Sequence, residues 1–424
     1  MVAPLLVGAL GLMVTLTVAR EAHAGWDPGT KLTTPSSGDH DYFGRSLALD
    51  DGRILAGAAG ENVDGLMHVG AAYVFSGPGY TQVARLAPPT PKEWWGFGDA
   101  VALDGNTAML GESPLDNTSV HVFELKAGAW QETQLLHEDD STFGFQLVLH
   151  GDTAVIGSPK SGADVGKVHV YRKRSGVWAE AQELSASDAM DSDFFSLSVA
   201  FDGETIVVGA PGNALYPGRH GVYVYAKSGD QFVEQAHLTY PSEHDLYFGG
   251  SVSVSGDTLA IGATFKDGPG EGLLYTRAGD QWSLQQSLTQ PGEERFGGNA
   301  HVQGDTAWFT GTTAAQGSLY VYERAAGAWA QTQKIAAPGD KYGDATIVAS
   351  AGTLAFGVNE IDTTGYIQIF ANPAEDAKPA TKKPAAKDSS GCSVSPVGSA
   401  ADGAPLLLGL CGLMLAAAVR RSRS

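Results

Sequence analysis

Between residues 26 and 370 the apolar positions fall in short runs of Val, Ala, Leu and Tyr bounded by Gly and Asp, and helical periodicity is scarce. One unit recurs about every 50 residues, which is the mark of a repeat architecture. Each unit opens on an aromatic-Gly pair leading into a first strand: Phe43-Gly44, Phe97-Gly98, Phe143-Gly144, Phe248-Gly249, Phe296-Gly297 and Tyr342-Gly343, with Phe195-Ser196 as the one copy lacking the glycine. A tight Asp/Gly turn follows, as at Gly151-Asp152, Asp202-Gly203 and Gly256-Asp257, because these residues tolerate the positive φ that a twisted hairpin demands. The second strand ends in Gly, at Gly57, Gly111, Gly157, Gly209, Gly262, Gly311 and Gly357. A third strand of Val-x-Val-Tyr type comes next, as at 120–123, 168–171 and 222–225. The fourth carries an aromatic and, six residues on, Leu or Ile, as in Trp130 and Leu136, Trp178 and Leu184, Trp329 and Ile335. An even spacing predicts that both side chains share one face of that outer strand.

Four strands per unit make one propeller blade, so the pattern predicts an all-β, seven-bladed β-propeller of four-stranded blades. The seventh unit has only three strands of its own. Trp26 and Leu32 repeat the outer-strand spacing ahead of the first aromatic-Gly pair, and the N-terminal strand is therefore expected to close the last blade. Aromatic-Gly followed by a strand end such as Gly209-Ala210-Pro211 resembles the FG-GAP repeat, the unit of the integrin α-subunit propeller and of many bacterial surface proteins. The resemblance covers residues 26–370 and implies fold far more strongly than activity.

The two ends have a different character. Residues 1–24 form an apolar stretch finishing in Ala22-His23-Ala24 and read as a signal peptide, with mature Gly25, although no Lys or Arg precedes the apolar run. The propeller is placed at 25–370, and an Ala/Pro/Lys linker with the composition of a disordered spacer at 371–391. Residues 392–424 contain an apolar segment ahead of Arg420, Arg421 and Arg423, and read as a sorting or anchor segment. Gly391-Cys392-Ser393, the short apolar segment and the Arg cluster together resemble the MYXO-CTERM class of sorting signals. That resemblance implies processing, with lipidation, at Cys392, and localisation at the cell surface or outer membrane; an ordinary single-span anchor is the alternative.

A formal charge of −20 disfavours nucleic acid as a partner and leaves contact with a membrane to the C-terminal tail. Both cysteines, Cys392 and Cys411, lie in that tail, so the propeller holds no disulfide. Strand direction alternates, which places the short turns on one face and the long loops, with the blade-to-blade connections, on the other. Acidic residues collect on the long-loop face with aromatics among them, and Trp94, Trp95, Glu112, Asp116, Asp164, Tyr216 and Asp267 are the candidate ligand-binding residues. In integrin α-subunits this is the ligand face, so the resemblance points the same way. No Asp-x-Asp-x-Asp-Gly occurs, and the family's calcium loops do not carry over. Asp188, Asp191 and Asp193, with 137–140 as a second choice, are the candidate ligands for Ca²⁺.

Catalytic signatures are lacking: there is no His-Glu-x-x-His, no Gly-x-Ser-x-Gly and no phosphate loop. His121 and His169 occupy equivalent third-strand positions, which repeat geometry explains without a metal. His40, His137 and His244, each beside acidic residues ahead of a first strand, are the best case for chemistry. The sequence thus favours a non-enzymatic recognition or adhesion propeller whose partner is a surface or matrix protein or polysaccharide. A hydrolase or lyase acting on extracellular polymer is the alternative.

Overall fold

The computed structural model describes residues 25–34, 40–112, 118–139, 142–160, 165–212, 221–240, 246–265, 269–313, 317–336, 346–350, 352–358 and 365–372. These residues form 28 strands and no helix, in seven four-stranded antiparallel sheets. Blade one pairs β2 (Leu47–Asp50), β3 (Arg53–Ala58), β4 (Ala71–Ser76) and β5 (Thr81–Leu86) in that order, and the next five blades repeat the arrangement along the chain. Blade seven consists of β26 (Thr346–Ser350), β27 (Thr353–Val358), β28 (Tyr366–Ala371) and, outermost, β1 (Asp27–Leu32). The expected closure by the N-terminal strand is therefore present.

A recurring side-chain bond shows that β1 fills an ordinary outer-strand position. Gln134, Gln182 and Gln286 each reach from one blade to the next and bond both backbone groups of the aromatic residue there, Trp178, Phe232 and Trp329 respectively, at 2.7–3.1 Å. Gln333 treats Trp26 in the same way, accepting from its N–H at 2.7 Å and donating to its carbonyl at 2.9 Å. The ends of the ring are thus joined by the bond that joins its middle.

Seven apolar clusters make up the core, each shared by two neighbouring blades. The outer-strand aromatic and Leu do not share a face as their spacing predicts. Trp178 packs toward blade two and Leu184 toward blade four, and Trp26 packs against blade six while Leu32 packs against blade one. The cause is a bulge in the outer strand: between Val170 and Tyr171 the register skips one residue on the partner, which reverses the alternation beyond it. One outer strand therefore serves both of its seams.

The glycines of the two landmarks meet at those seams. A Cβ on Gly209 would lie 1.9 Å from the carbonyl oxygen of Gly249 in the next blade; on Gly57 it would lie 2.0 Å from that of Gly98, and on Gly357 2.0 Å from that of Gly44. The aromatic-Gly pairs sit in the turn ahead of strand one in most blades, with positive φ at the glycine (84° at Gly44, 88° at Gly98, 90° at Gly144). Ser196, the exception, adopts φ 76° all the same, and its hydroxyl accepts a bond from the buried Ser158 N–H at 2.9 Å. Hairpin aspartates add ties on the other face: Asp50 accepts from Gly105 N–H of the next blade at 2.7 Å, and Asp202 from Gly256 N–H at 2.9 Å.

Candidate functional site

Two of the predicted ligand-binding residues, Trp94 and Trp95, lie where the connector from blade one to blade two runs beside the long loop between β3 and β4. The two segments are bonded through their backbones: Trp94 N–H donates to Met67 carbonyl at 2.9 Å, Gly96 N–H to His68 at 3.0 Å and Phe97 N–H to Val69 at 3.0 Å. This pairing brings His68 beside Trp94, and a separate bond from Gly60 N–H to Asp41 carbonyl at 3.0 Å ties the Tyr42 segment to the same loop. His68 stacks on Trp94 with centroids 4.6 Å apart and planes 19° from parallel, and Tyr42 stacks more distantly with His68 at 6.5 Å and 28°. Trp94 is 45% exposed and Met67 46%, so the row ends in an open apolar surface. Burial, and then the charge of His40, lower the His68 pKa, which keeps its ring neutral near pH 7.

The backbone here is held in an unfavourable region. His40, Tyr42, Asp64, His68 and Trp94 all have positive φ, between 51° and 71°. Each costs about 1–2 kcal/mol for a residue with a Cβ, so the surrounding contacts over-determine the shape of this surface. Glu61 supplies one such contact. Its buried carboxylate accepts from Tyr73 hydroxyl at 2.6 Å and from two Arg85 nitrogens at 2.5 and 3.1 Å, while its carbonyl takes the Gly70 N–H at the far end of the loop.

Trp95 is half-buried beneath this surface, with the Lys92 ammonium 4.4 Å above its ring and His121 edge-on at 6.0 Å. Glu112 is not displayed to solvent: it is buried and faces His121 Nε2 at 2.8 Å, while Glu132 faces Nδ1 at 2.7 Å. Burial alone would lower the His121 pKa, but the bonds and charges of both carboxylates outweigh it and the pKa is raised. Glu112 thus holds in place the His121 ring that Trp95 meets edge-on.

The same third-strand position carries an acid partnership in other blades. Tyr223 donates to Asp188 at 2.6 Å and stacks on His237 at 4.2 Å; Tyr320 donates to Glu293, which also takes Lys334 at 3.0 Å. In blade three His169 Nδ1 lies 2.8 Å from Glu180, and Tyr171 of the same strand donates to Glu138. The directly opposed residues on strand four are Arg85, His237 and Lys334 in blades one, four and six, a cross-strand relation that sequence spacing across a bulge conceals.

Of the Ca²⁺ candidates, Asp188 uses one oxygen for Tyr223 and has the other 3.7 Å from His237, Asp193 is buried and accepts from Met190 N–H at 2.7 Å, and Asp191 is exposed. His40 and His137 are exposed, and His137 faces Ser119 hydroxyl at 3.3 Å. Asp116, Asp164, Tyr216, Asp267, His244 and Cys392 lie outside the described residues, as do residues 1–24, read from the sequence as a signal peptide, and residues 373–424, read as a linker and sorting segment.

Seven four-stranded antiparallel blades that meet at glycine-to-carbonyl seams define an all-β, seven-bladed propeller. The FG-GAP repeat family profile matches residues 26–75, 178–225 and 232–276. A crystal structure of a protein from Lactobacillus plantarum resembles the chain with a TM-score of 0.50 at 12% identity, over 75% of this chain and 98% of that one, a likeness of fold alone. No curated protein sequence matches the chain.

Proposed function

We propose that the protein is a recognition or adhesion module, not an enzyme, which binds a surface or matrix protein or polysaccharide through its long-loop face. The observation that carries this reading is the Tyr42–His68–Trp94 row: three rings held by strained backbone and ending in exposed Trp94 and Met67. Flat aromatic surface fixed before binding loses little entropy on contact, and such residues are the usual anchors of interfaces. Export through residues 1–24 and retention at the cell surface through the tail, with processing at Cys392, complete the proposal; these rest on the sequence features of the two ends.

The test measures retention of the purified protein by fractionated surface protein and polysaccharide, with Trp94→Ala and His68→Ala beside the parent chain. Saturable binding to one fraction, weakened at least about tenfold by Trp94→Ala, is expected for an anchor residue. Folded parent protein that binds neither fraction would sink the proposal, and turnover of the polymer would favour the hydrolase or lyase. Mass spectrometry of the cell-derived protein reads the termini, with Gly25 expected first and a modified Cys392 last.

A further inference from the structure

We propose that Glu138, His169 and Glu180 form a binding site for a transition-metal dication, for which Zn²⁺ is the probe. One ligand atom from each residue lies within 4.8 Å of the other two. His169 stands on β12 (Lys167–Arg174) and Glu180 on the neighbouring β13 (Val177–Leu184), while Glu138 follows β9 (Ala129–His137) on the connector from blade two. The site therefore spans a seam between blades. His169 and Glu180 are already in contact at 2.8 Å. Donors about 2.0–2.2 Å from a tetrahedral dication sit roughly 3.4 Å apart, so ligand atoms already within 4.8 Å of one another are at most about 1.4 Å from coordination spacing.

The setting suits an ion. His169 is buried, with Phe143 edge-on against its ring at 5.3 Å; Glu138 is half-buried and Glu180 exposed, which leaves the outer side open to water ligands. Tyr171 hydroxyl donates to Glu138 and orients that carboxylate, a support of the kind that ligating carboxylates commonly have. One imidazole and two carboxylates, without sulfur, suit Zn²⁺, Co²⁺ or Mn²⁺; Ca²⁺ and Mg²⁺ prefer all-oxygen shells.

Blade two supplies an internal control. There His121 and Glu132 hold the positions of His169 and Glu180, but both ring nitrogens of His121 face carboxylates at 2.7 and 2.8 Å, which favours the imidazolium that cannot ligate a metal. Blade three has Ser158 after its glycine where blade two has Glu112, and its second carboxylate comes from the connector. Spacing along the repeat, which treats His121 and His169 alike, does not reveal this difference. The inference is independent of the recognition reading.

The experiment titrates the full chain with Zn²⁺ by calorimetry and with Co²⁺ by visible absorption, at neutral pH, in the parent and in Glu138→Gln, Glu180→Gln and Glu132→Gln variants. The parent is expected to bind one ion saturably, in the order Zn²⁺ above Co²⁺ above Mn²⁺ and without displacement by excess Ca²⁺. Glu138→Gln and Glu180→Gln are each expected to weaken binding at least about tenfold, and Glu132→Gln to leave it unchanged. Glu180 is exposed, so its variant keeps the fold, which far-UV circular dichroism verifies. No saturable binding, or binding that both Glu138→Gln and Glu180→Gln leave intact, overturns the proposal.

Discussion

Replacement of Gly209 by Ala adds one methyl group at the seam between blades four and five, and the structure fixes what it meets. The new Cβ lies 1.9 Å from Gly249 carbonyl oxygen, 2.3 Å from Ser198 Oγ and 2.9 Å from the Gly249 carbonyl carbon. A tolerable C···O contact is about 3.3 Å or more, so the two backbones must part by more than about 1 Å. They cannot part freely, because Ser198 hydroxyl holds Gly249 carbonyl at 2.6 Å and the cluster around Val207, Val222, Phe248 and Val252 is shared across the same seam. Overpacking of this kind costs about 1–3 kcal/mol, and backbone on both sides of the clash places Gly209→Ala near the upper end. The gain of up to about 1 kcal/mol that Ala has over Gly inside a strand offsets part of this, leaving a net loss of about 2 kcal/mol. Gly157 is the control: its added Cβ would be 3.0 Å from Ser196 carbonyl and 3.1 Å from Gln146 Cβ, distances that shifts of a few tenths of an ångström relieve. Gly157→Ala is expected to fall within about 1 kcal/mol of the parent. Guanidinium denaturation followed by tryptophan fluorescence and circular dichroism compares the midpoints. Equal midpoints for the two variants would refute the account of the glycines as seam contacts.

Trp26→Ala removes a buried ring packed edge-on against Trp308 at 5.6 Å and is expected to cost about 3–5 kcal/mol, whereas Gln333→Ala, which removes two hydrogen bonds across the same closure, costs about 1–3 kcal/mol; thermal melts rank them, and the reverse order would contradict closure by packing. Burial drives the His301 pKa down to about 4 from 6.5, against a weaker opposing effect of the Ala349 backbone. Because the unfolded chain takes up the proton first, stability is lost as pH falls from 6.5 toward 4, by about 3 kcal/mol at most from this group, and His301→Phe is expected to flatten that part of the pH profile. His121 runs the other way: its raised pKa gives stability that is full below 6.5 and lost as pH rises through the folded value. Glu61→Gln, which weakens the bonds to Tyr73 and Arg85, is expected to lower affinity at the Trp94 surface several-fold with the blades intact, and unchanged binding would show that the loop does not depend on this anchor.

Blade number, strand order and the closing strand were legible because each rests on a local signal repeated around the ring. Glycine at a strand end, Asp/Gly at a hairpin and an aromatic six residues before Leu are all properties of single segments. What the sequence hid depends on registry between segments. The outer-strand bulge turns Trp178 and Leu184 to opposite faces, although an even spacing predicts one face, since a bulge leaves no mark in composition. The inter-blade glutamines are hidden for the same reason: Gln134 is an ordinary polar residue in the sequence, and its partner Trp178 lies 44 positions later. At the candidate site Trp94 and Trp95 stand out by residue type, but His68 and Tyr42, which line up beside Trp94, come from two other segments, brought near by backbone bonds of the loop to the connector and to Asp41.

Seams and loops divide the work of this molecule. At the seams, glycine against carbonyl admits almost no variation, and the one departure, Ser196, carries its own hydrogen bond to Ser158. On the long-loop face the matching third-strand position is Tyr73, His121, His169, Tyr223 and Tyr320 in five blades, each with a carboxylate, while the residue opposite it on strand four changes from Arg85 to Leu135, Glu183, His237 and Lys334. A ring whose blades cannot shift gives these loops a fixed base, so a change of charge or ring in one blade alters its own loop and leaves the neighbouring blades in place. Of the chain's 47 acidic residues, several on this face, Glu61, Glu112 and Glu293 among them, are buried and paired, which makes them anchors of loop shape instead of a diffuse negative surface. Any selectivity the face has must then come from what stands exposed above those anchors, and among the described residues around blades one and two this includes Trp94 and Met67 at the end of the row of rings.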